Sequence, residues 1–316
     1  MAARRPWRAA LAAVVALWGG SALTAAAAPP QAVATVGMIG DVAERIAGEC
    51  VEVETLMGPG IDPHLYQASS SDVRLLQRAE AILYAGYALE GQLGAVLAKL
   101  GERKPAVAVS EAAARRESLI QVGGGNVDPH LWMDPQLWAD TTPAIAEALA
   151  GIAPDCAAPI RERAAAYRER LAALDEWIAA SIATIPERQR VLITAHDAFG
   201  YYGRAYGLEV RGIQGISTDS EAGIADIRRM VSTVVERRIP AVFIESTINP
   251  RTVEAVVDAA GRRGHELAIG GELYSDALGS PGSGAGTYIS MLRSNTETIV
   301  RGLGGEPAPW PEALPE

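Results

Sequence analysis

The sequence predicts an α/β fold of two lobes, each a four-stranded parallel sheet flanked by helices, joined by one long rigid helix. Three observations carry this. Short β-branched runs alternate with helical patterns along the chain, which is the rhythm of parallel sheets covered by helices on both faces. Four such runs fall on each side of a central break. The break is itself one long stretch with a single apolar stripe and a stop signal at its end.

In the first half the runs are residues 34–39, 51–57, 81–84 and 106–109; in the second they are 191–194, 208–213, 241–244 and 266–269. The central helix is expected over 155–185. Asp155 is its expected N-cap, and Pro159 is tolerated in the first turn. Ile160, Ala164, Tyr167, Leu171, Leu174, Ile178 and Ile182 recur at three- and four-residue steps, so they share one face. Pro186 ends the pattern. A helix of this length spans about 40 Å and makes a stiff connection rather than a loose hinge. The expected division is a signal peptide over 1–28, an N-terminal lobe over 31–154, the connecting helix, a C-terminal lobe over 186–303 and a tail over 304–316. That tail is rich in Pro, Gly and Glu and has no periodic apolar face, so it is expected to be an extended or mobile, flexible end.

With 316 residues, 49% of them hydrophobic, the chain can bury a sizeable core. Its first segment reads as a targeting signal. Arg4, Arg5 and Arg8 precede an apolar run over 9–23, and small residues over 25–28 suit cleavage near Ala28. The run is too short and too interrupted by glycine for a membrane anchor, which needs about 20 residues. No Cys lies at the cleavage point, which argues against a lipid anchor. Removal of the signal takes away three arginines and no acid, and the net charge moves from -10 to -13. Such an acidic surface argues against nucleic acid as a partner.

Cys50 and Cys156 are the chain's two cysteines. An even count in an exported chain suggests one disulfide. Neither Cys has a Cys or His at zinc-finger spacing, which disfavours a metal site there; two buried thiols are the other reading.

There are four histidines. The segment Asp62-Pro63-His64-Leu65-Tyr66 is echoed by Asp128-Pro129-His130-Leu131-Trp132, and His196 follows the apolar run 191–195. Ligands of open α/β sheets bind beyond the carboxyl ends of the strands. Histidines 64, 130 and 196 fit such positions and can converge in one cleft between the lobes. Asp276, just after the strand at 266–269 and before the glycine-rich loop 279–286, lies on the same side. His265 precedes its strand and is read as a surface residue at the opposite edge. Three neutral imidazoles and one carboxylate suit Zn2+ in tetrahedral geometry, and a bidentate Asp gives the five-coordinate site that Mn2+ also accepts. The loop 279–286 lacks the Lys-Ser/Thr ending of a phosphate loop and reads as a flexible connector.

Residues 58–66 resemble the signature of the cluster A-I, TroA-like solute-binding proteins of metal ABC transporters. So do 128–134, 194–200, 215–218, 243–246 and 270–276. The resemblance runs in order from about Val33 to Gly302. It implies two lobes joined by one long helix, a metal at their interface, and His64, His130, His196 and Asp276 as its ligands. It implies a monomer that captures one Zn2+ or Mn2+ in the periplasm and delivers it to a membrane permease. Manganese-dedicated relatives commonly carry Glu where His196 stands, and the His-rich loop of many zinc-dedicated relatives is absent from 112–126, so Zn2+ and Mn2+ both remain candidates, with Fe2+ or another ion as the lesser alternative.

Asp62, Asp128 and Glu245 are candidates to orient imidazoles or cap loops. Trp132 and Tyr66 are candidates to shield the metal from water. Affinity is expected to fall below pH about 6.5 as imidazoles protonate. The rival reading is an exported metallohydrolase using the same His3Asp set. It would need an open coordination position and a base, for which Glu245 is the candidate, and no HExxH motif is present.

Overall fold

The computed structural model describes residues 28–113 and 116–314; the expected signal segment, apart from Ala28, lies outside them. The first half runs β1 (Gln31–Val36), α1 (Gly37–Ala47), β2 (Glu52–Met57), α2 (Ser70–Arg78), β3 (Ala81–Tyr84), α3 (Gly94–Gly101), β4 (Ala106–Ala108), α4 (Val109–Ala113), α5 (Pro135–Ala139) and α6 (Thr142–Ile152). Then comes the long α7 (Ala157–Ile182). The second half runs β5 (Val191–Thr194), α8 (Gly200–Tyr206), β6 (Glu209–Gly212), α9 (Ile224–Arg237), β7 (Ala241–Glu245), α10 (Arg251–Gly261), β8 (Ala268–Leu273) and α11 (Tyr288–Gly302).

All strand pairs are parallel. The first half forms one sheet in the order β2-β1-β3-β4. Central β1 is apolar and buried almost throughout, whereas edge strand β2 exposes Glu52 and Glu54. Charge on an exposed edge discourages pairing with another chain. The second half also holds four strands, but they pair as β5-β6 and β7-β8, with β5 lying beside β7 rather than laddered to it.

The first strand lies three residues earlier than the sequence predicts. Residues 32–39 form a nearly continuous apolar run, and such a run does not mark its own strand–helix junction. The helix begins at Gly37 because Met38, Ile39, Val42 and Ile46 form a buried helical face that period-two alternation would split between two surfaces.

Every residue of the predicted apolar stripe of α7 is buried. The helix packs on α1, α5 and α6 of the first half and on α8 and α11 of the second. It is therefore a shared wall of both cores. Asp155 does not cap it: a 3-10 turn over Pro154–Cys156 precedes the helix, and Cys156 occupies the N-cap without a side-chain bond. A disulfide joins Cys156 to Cys50, at the end of the turn after α1, with Cα atoms 6.1 Å apart.

The tail is extended, one of the two states expected of it, and it docks along α7, which the flexible alternative did not foresee. Trp177 Nε1 donates to the Ala308 carbonyl, and Ala308 N donates to Ser181 Oγ. The Trp310 ring meets Trp177 edge-on with centroids 4.6 Å apart, and the Arg293 guanidinium lies 4.4 Å from the Trp310 ring centroid as a cation on the ring. Leu314 is buried. Trp310 and Leu314 provide apolar area in the tail that a count of Pro and Gly does not register. The loop 279–286, expected as a flexible connector, is likewise closed by Gly279 N donating to the Ala285 carbonyl, with Ala285 buried. Among the described residues no helix is long and apolar enough to cross a membrane.

The disulfide closes a loop with a sequence separation of 106. The chain-entropy model gives about 4–5 kcal/mol at most for such a link. The double substitution Cys50→Ser/Cys156→Ser is expected to lower unfolding free energy by up to that amount, measured by urea denaturation. Reductant should then leave the variant's midpoint unchanged while lowering that of the parent.

Candidate metal centre

The four side chains nominated by the sequence meet in one place. His64 lies in the loop after β2, His130 in the loop before α5, His196 two residues beyond β5 and Asp276 three residues beyond β8. One ligand atom from each lies within 4.8 Å of every other, and all four residues are buried. Parallel strands point their carboxyl ends the same way, so loops far apart in sequence share one rim. His265 is elsewhere: its Nε2 bonds the Ile239 carbonyl at 2.8 Å, ahead of β8.

The spacings fit a common cation. His64 Nε2 lies 3.4 Å from His130 Nε2. Asp276 Oδ1 lies 3.3 Å from His130 Nε2, and Asp276 Oδ2 lies 3.2 Å from His196 Nε2 and 3.6 Å from His64 Nε2. Ligands at zinc-like bond lengths of ~2.0–2.2 Å on a tetrahedron stand ~3.3–3.6 Å apart. The two carboxylate oxygens face different imidazoles, an arrangement in which Asp276 can offer one oxygen or both.

Hydrogen bonding within the cluster is incomplete. Asp276 Oδ1, Asp276 Oδ2 and His196 Nε2 are buried without a hydrogen-bond partner. The imidazoles face the carboxylate as charges but not in hydrogen-bond geometry. Each unpaired buried polar atom costs about 1–3 kcal/mol, and charged ones more. A cation at the centre would satisfy all of them together.

The imidazoles are aimed from behind. Asp128 Oδ1 lies 2.6 Å from His130 Nδ1 and also accepts from His130 N at 3.0 Å. Glu245 Oε2 lies 2.6 Å from His196 Nδ1, and its Oε1 accepts from His196 N at 2.8 Å. Each carboxylate thus fixes a ring so that Nε2 points inward. His64 is held differently. Asp62 Oδ1 accepts from its backbone N at 2.9 Å. Behind it, Gly91 adopts φ +43°, and a Cβ there would stand 2.6 Å from the His64 carbonyl oxygen, so only glycine lets these two loops touch.

Electrostatics follows from this packing. Burial disfavours a charged His130, but the carboxylates of Asp128 and Asp276 outweigh it and lift its pKa to about 9. Burial acts against a charged His196 too, and Glu245 and Asp276 lift its pKa well above the usual value. Burial lowers His64; Asp276 opposes this, and the neighbouring imidazoles reinforce it. Burial would raise Asp276, yet His196 and His130 hold it well below the ordinary carboxylate range. Asp276 thus faces two imidazoles, His130 and His196, whose charged forms their surroundings favour, and a third, His64, whose charged form burial disfavours.

Trp132 is fully buried, its ring 5.2 Å from that of His130. Its Nε1 donates to the Ser275 carbonyl at 2.8 Å, which ties the His130 loop to the residue before Asp276. Tyr66 does not share this role: it is only partly buried, and its hydroxyl donates to Asp72 at the start of α2. Two contacts had no signal in the sequence. Tyr201 Oη donates to the Asp128 carbonyl, and Thr218 Oγ1 donates to Asp62 Oδ2 at 2.7 Å. Hydroxyl residues are too common for a partner in a distant loop to be read from spacing.

Over residues 32–302 the sequence matches the model of the ZnuA family, described as zinc-uptake complex component A, periplasmic. The chain belongs to this family. Its ZnuA-family relatives include the manganese-binding lipoprotein MntA of Bacillus subtilis, 44% identical over 86% of this chain and 89% of the relative. The zinc-binding protein TroA of Treponema pallidum is also 44% identical, over 90% and 92% of the two chains. The solved structure of that periplasmic zinc-binding protein superposes with a TM-score of 0.85 at 43% identity, covering 87% of this chain and 99% of the other. Two relatives named for different metals are thus equally similar to this member.

Proposed function

We propose that this chain, as a monomer, captures one Zn2+ or Mn2+ in the periplasm through His64, His130, His196 and Asp276, and hands it to the permease of an ABC importer. The observation that carries the reading is the buried carboxylate of Asp276 facing three inward-aimed imidazole nitrogens at tetrahedral-edge spacing. Family membership supplies the transport context. The relatives' names supply the two metals.

Capture rather than catalysis suits the enclosure of the cluster. With three imidazoles and a carboxylate around the ion, one oxygen or two from Asp276, the protein fills the coordination positions. No labile water remains for hydrolysis. Glu245, the base that a metallohydrolase would need, is fully engaged in orienting His196. Export is supported by the basic and apolar opening of the sequence. Several relatives are named lipoproteins, but here both cysteines are joined to each other, so neither can carry a lipid.

The choice between the two metals rests on Asp276. Held through one oxygen, it completes a tetrahedral site suited to Zn2+; through both, it gives the higher coordination that Mn2+ accepts.

His64→Ala or Asp276→Ala is expected to abolish stoichiometric metal binding in competition with a chromogenic chelator. Asp128→Asn and Glu245→Gln, which only loosen the aim of a ring, are expected to cost about 10–100-fold in affinity. Parent-like affinity in both alanine variants would overturn the ligand assignment.

Proton competition should begin at higher pH than an unperturbed imidazole suggests. The metal needs the Nε2 lone pair of His130, which a proton occupies below about 9, and the raised His196 behaves alike. Affinity is therefore expected to fall steadily as pH drops from 9 rather than from 6.5. At pH 7.5 binding should release protons from both residues. Calorimetry in buffers of different ionisation enthalpy reads this release directly, and a heat independent of buffer would contradict it.

A further inference from the structure

The three histidine loops are not tied down equally. The His130 loop is fastened to the second half by buried bonds: Trp132 Nε1 to the Ser275 carbonyl, Tyr201 Oη to the Asp128 carbonyl and Tyr288 Oη to the Trp132 carbonyl. His196 and Asp276 belong to the second half. The His64 loop is held across the interface by the bond from Thr218 Oγ1 to Asp62 Oδ2, whose other oxygen accepts from His64 N.

His64 also stands at the way in. A cleft of about 1150 Å³ opens between the halves, lined by His64, Pro129, Gln121, Ile216, Ser217 and Asp219. None of the other three members of the cluster lines it. His64 is 5% exposed, against 0–1% for the others. Its ring is aimed through its backbone, whereas the rings of His130 and His196 are braced at Nδ1 by carboxylates. The loop carrying Thr218 forms part of the opposite wall of the same cleft.

We infer that Thr218 is a positioning residue for metal retention: its hydroxyl latches Asp62 across the cleft and so keeps His64 over the ion. Opening the latch frees the 58–66 loop to carry His64 outward, which removes one ligand and exposes the ion to the cleft. Thr218 touches neither the ion nor an imidazole, so it acts on the rate of exchange through Asp62. A hydrogen bond to a carboxylate is strong enough that its loss should speed dissociation by about tenfold or more.

The inference rests on the metal-capture reading above, and the experiment separates the two. Zn2+-loaded parent, Thr218→Val and Thr218→Ser proteins are mixed with excess chelator in a stopped-flow instrument, and metal transfer is followed by the chelator's absorbance. The expected result is loss about tenfold or more faster from Thr218→Val, a rate near the parent's for Thr218→Ser, and similar association rates for all three. Valine keeps the shape and serine keeps the hydroxyl, so a packing role would give the reverse order. Equal dissociation from parent and Thr218→Val, or failure of serine to restore slow loss, would overturn the latch. A parent protein that takes up no Zn2+ or Mn2+ would overturn the capture reading instead.

Discussion

A carboxylate buried beyond the reach of water is the constraint on which the rest of this structure depends. Asp276 is 1% exposed and has no hydrogen-bond donor on either oxygen. Such a group is tolerated only opposite compensating positive charge. The fold supplies this by bringing three imidazoles from separate loops to within 3.6 Å of its oxygens or of one another. The carboxylates around them raise the pKa of His130 and His196 and so favour charged imidazoles opposite Asp276; under the proposed function a metal ion would take the place of those protons.

Holding that centre requires the halves to be in register. The helix α7 packs into both cores, the docked tail runs along it, and the disulfide fixes its N-cap to the turn that follows α1. Polar bonds across the interface are dense around Trp132 and lighter around His64. A stiff frame with one lightly fastened loop allows a ligand to exchange without the halves coming apart.

Much of this was legible in the sequence, for physical reasons. The paired Asp-Pro-His-Leu-aromatic segments placed His64 and His130, and the strand rhythm placed His196 and Asp276 at the same sheet rim. The stripe on α7 was clear because seven apolar positions kept one period along most of the 26-residue helix. The edges were harder to read. The junction at Gly37 was hidden inside one apolar run, and Asp155 resembled a cap because sequence alone does not register the 3-10 turn that precedes the helix. The pairing of the second half's strands into two ladders left no trace in composition. The roles of Thr218 and Tyr201 depend on contacts 156 and 73 residues away, and those distances exist only after folding. The docking of the extended tail was missed because composition counted its prolines and glycines but not what Trp310 and Leu314 could reach.

The most direct test of this account is X-ray absorption spectroscopy at the metal edge of the loaded protein in solution. The account predicts one ion per chain with three imidazole nitrogens and one or two carboxylate oxygens at about 2.0–2.2 Å. Fewer than three imidazoles in the scattering pattern, or sulfur among the ligands, would contradict it.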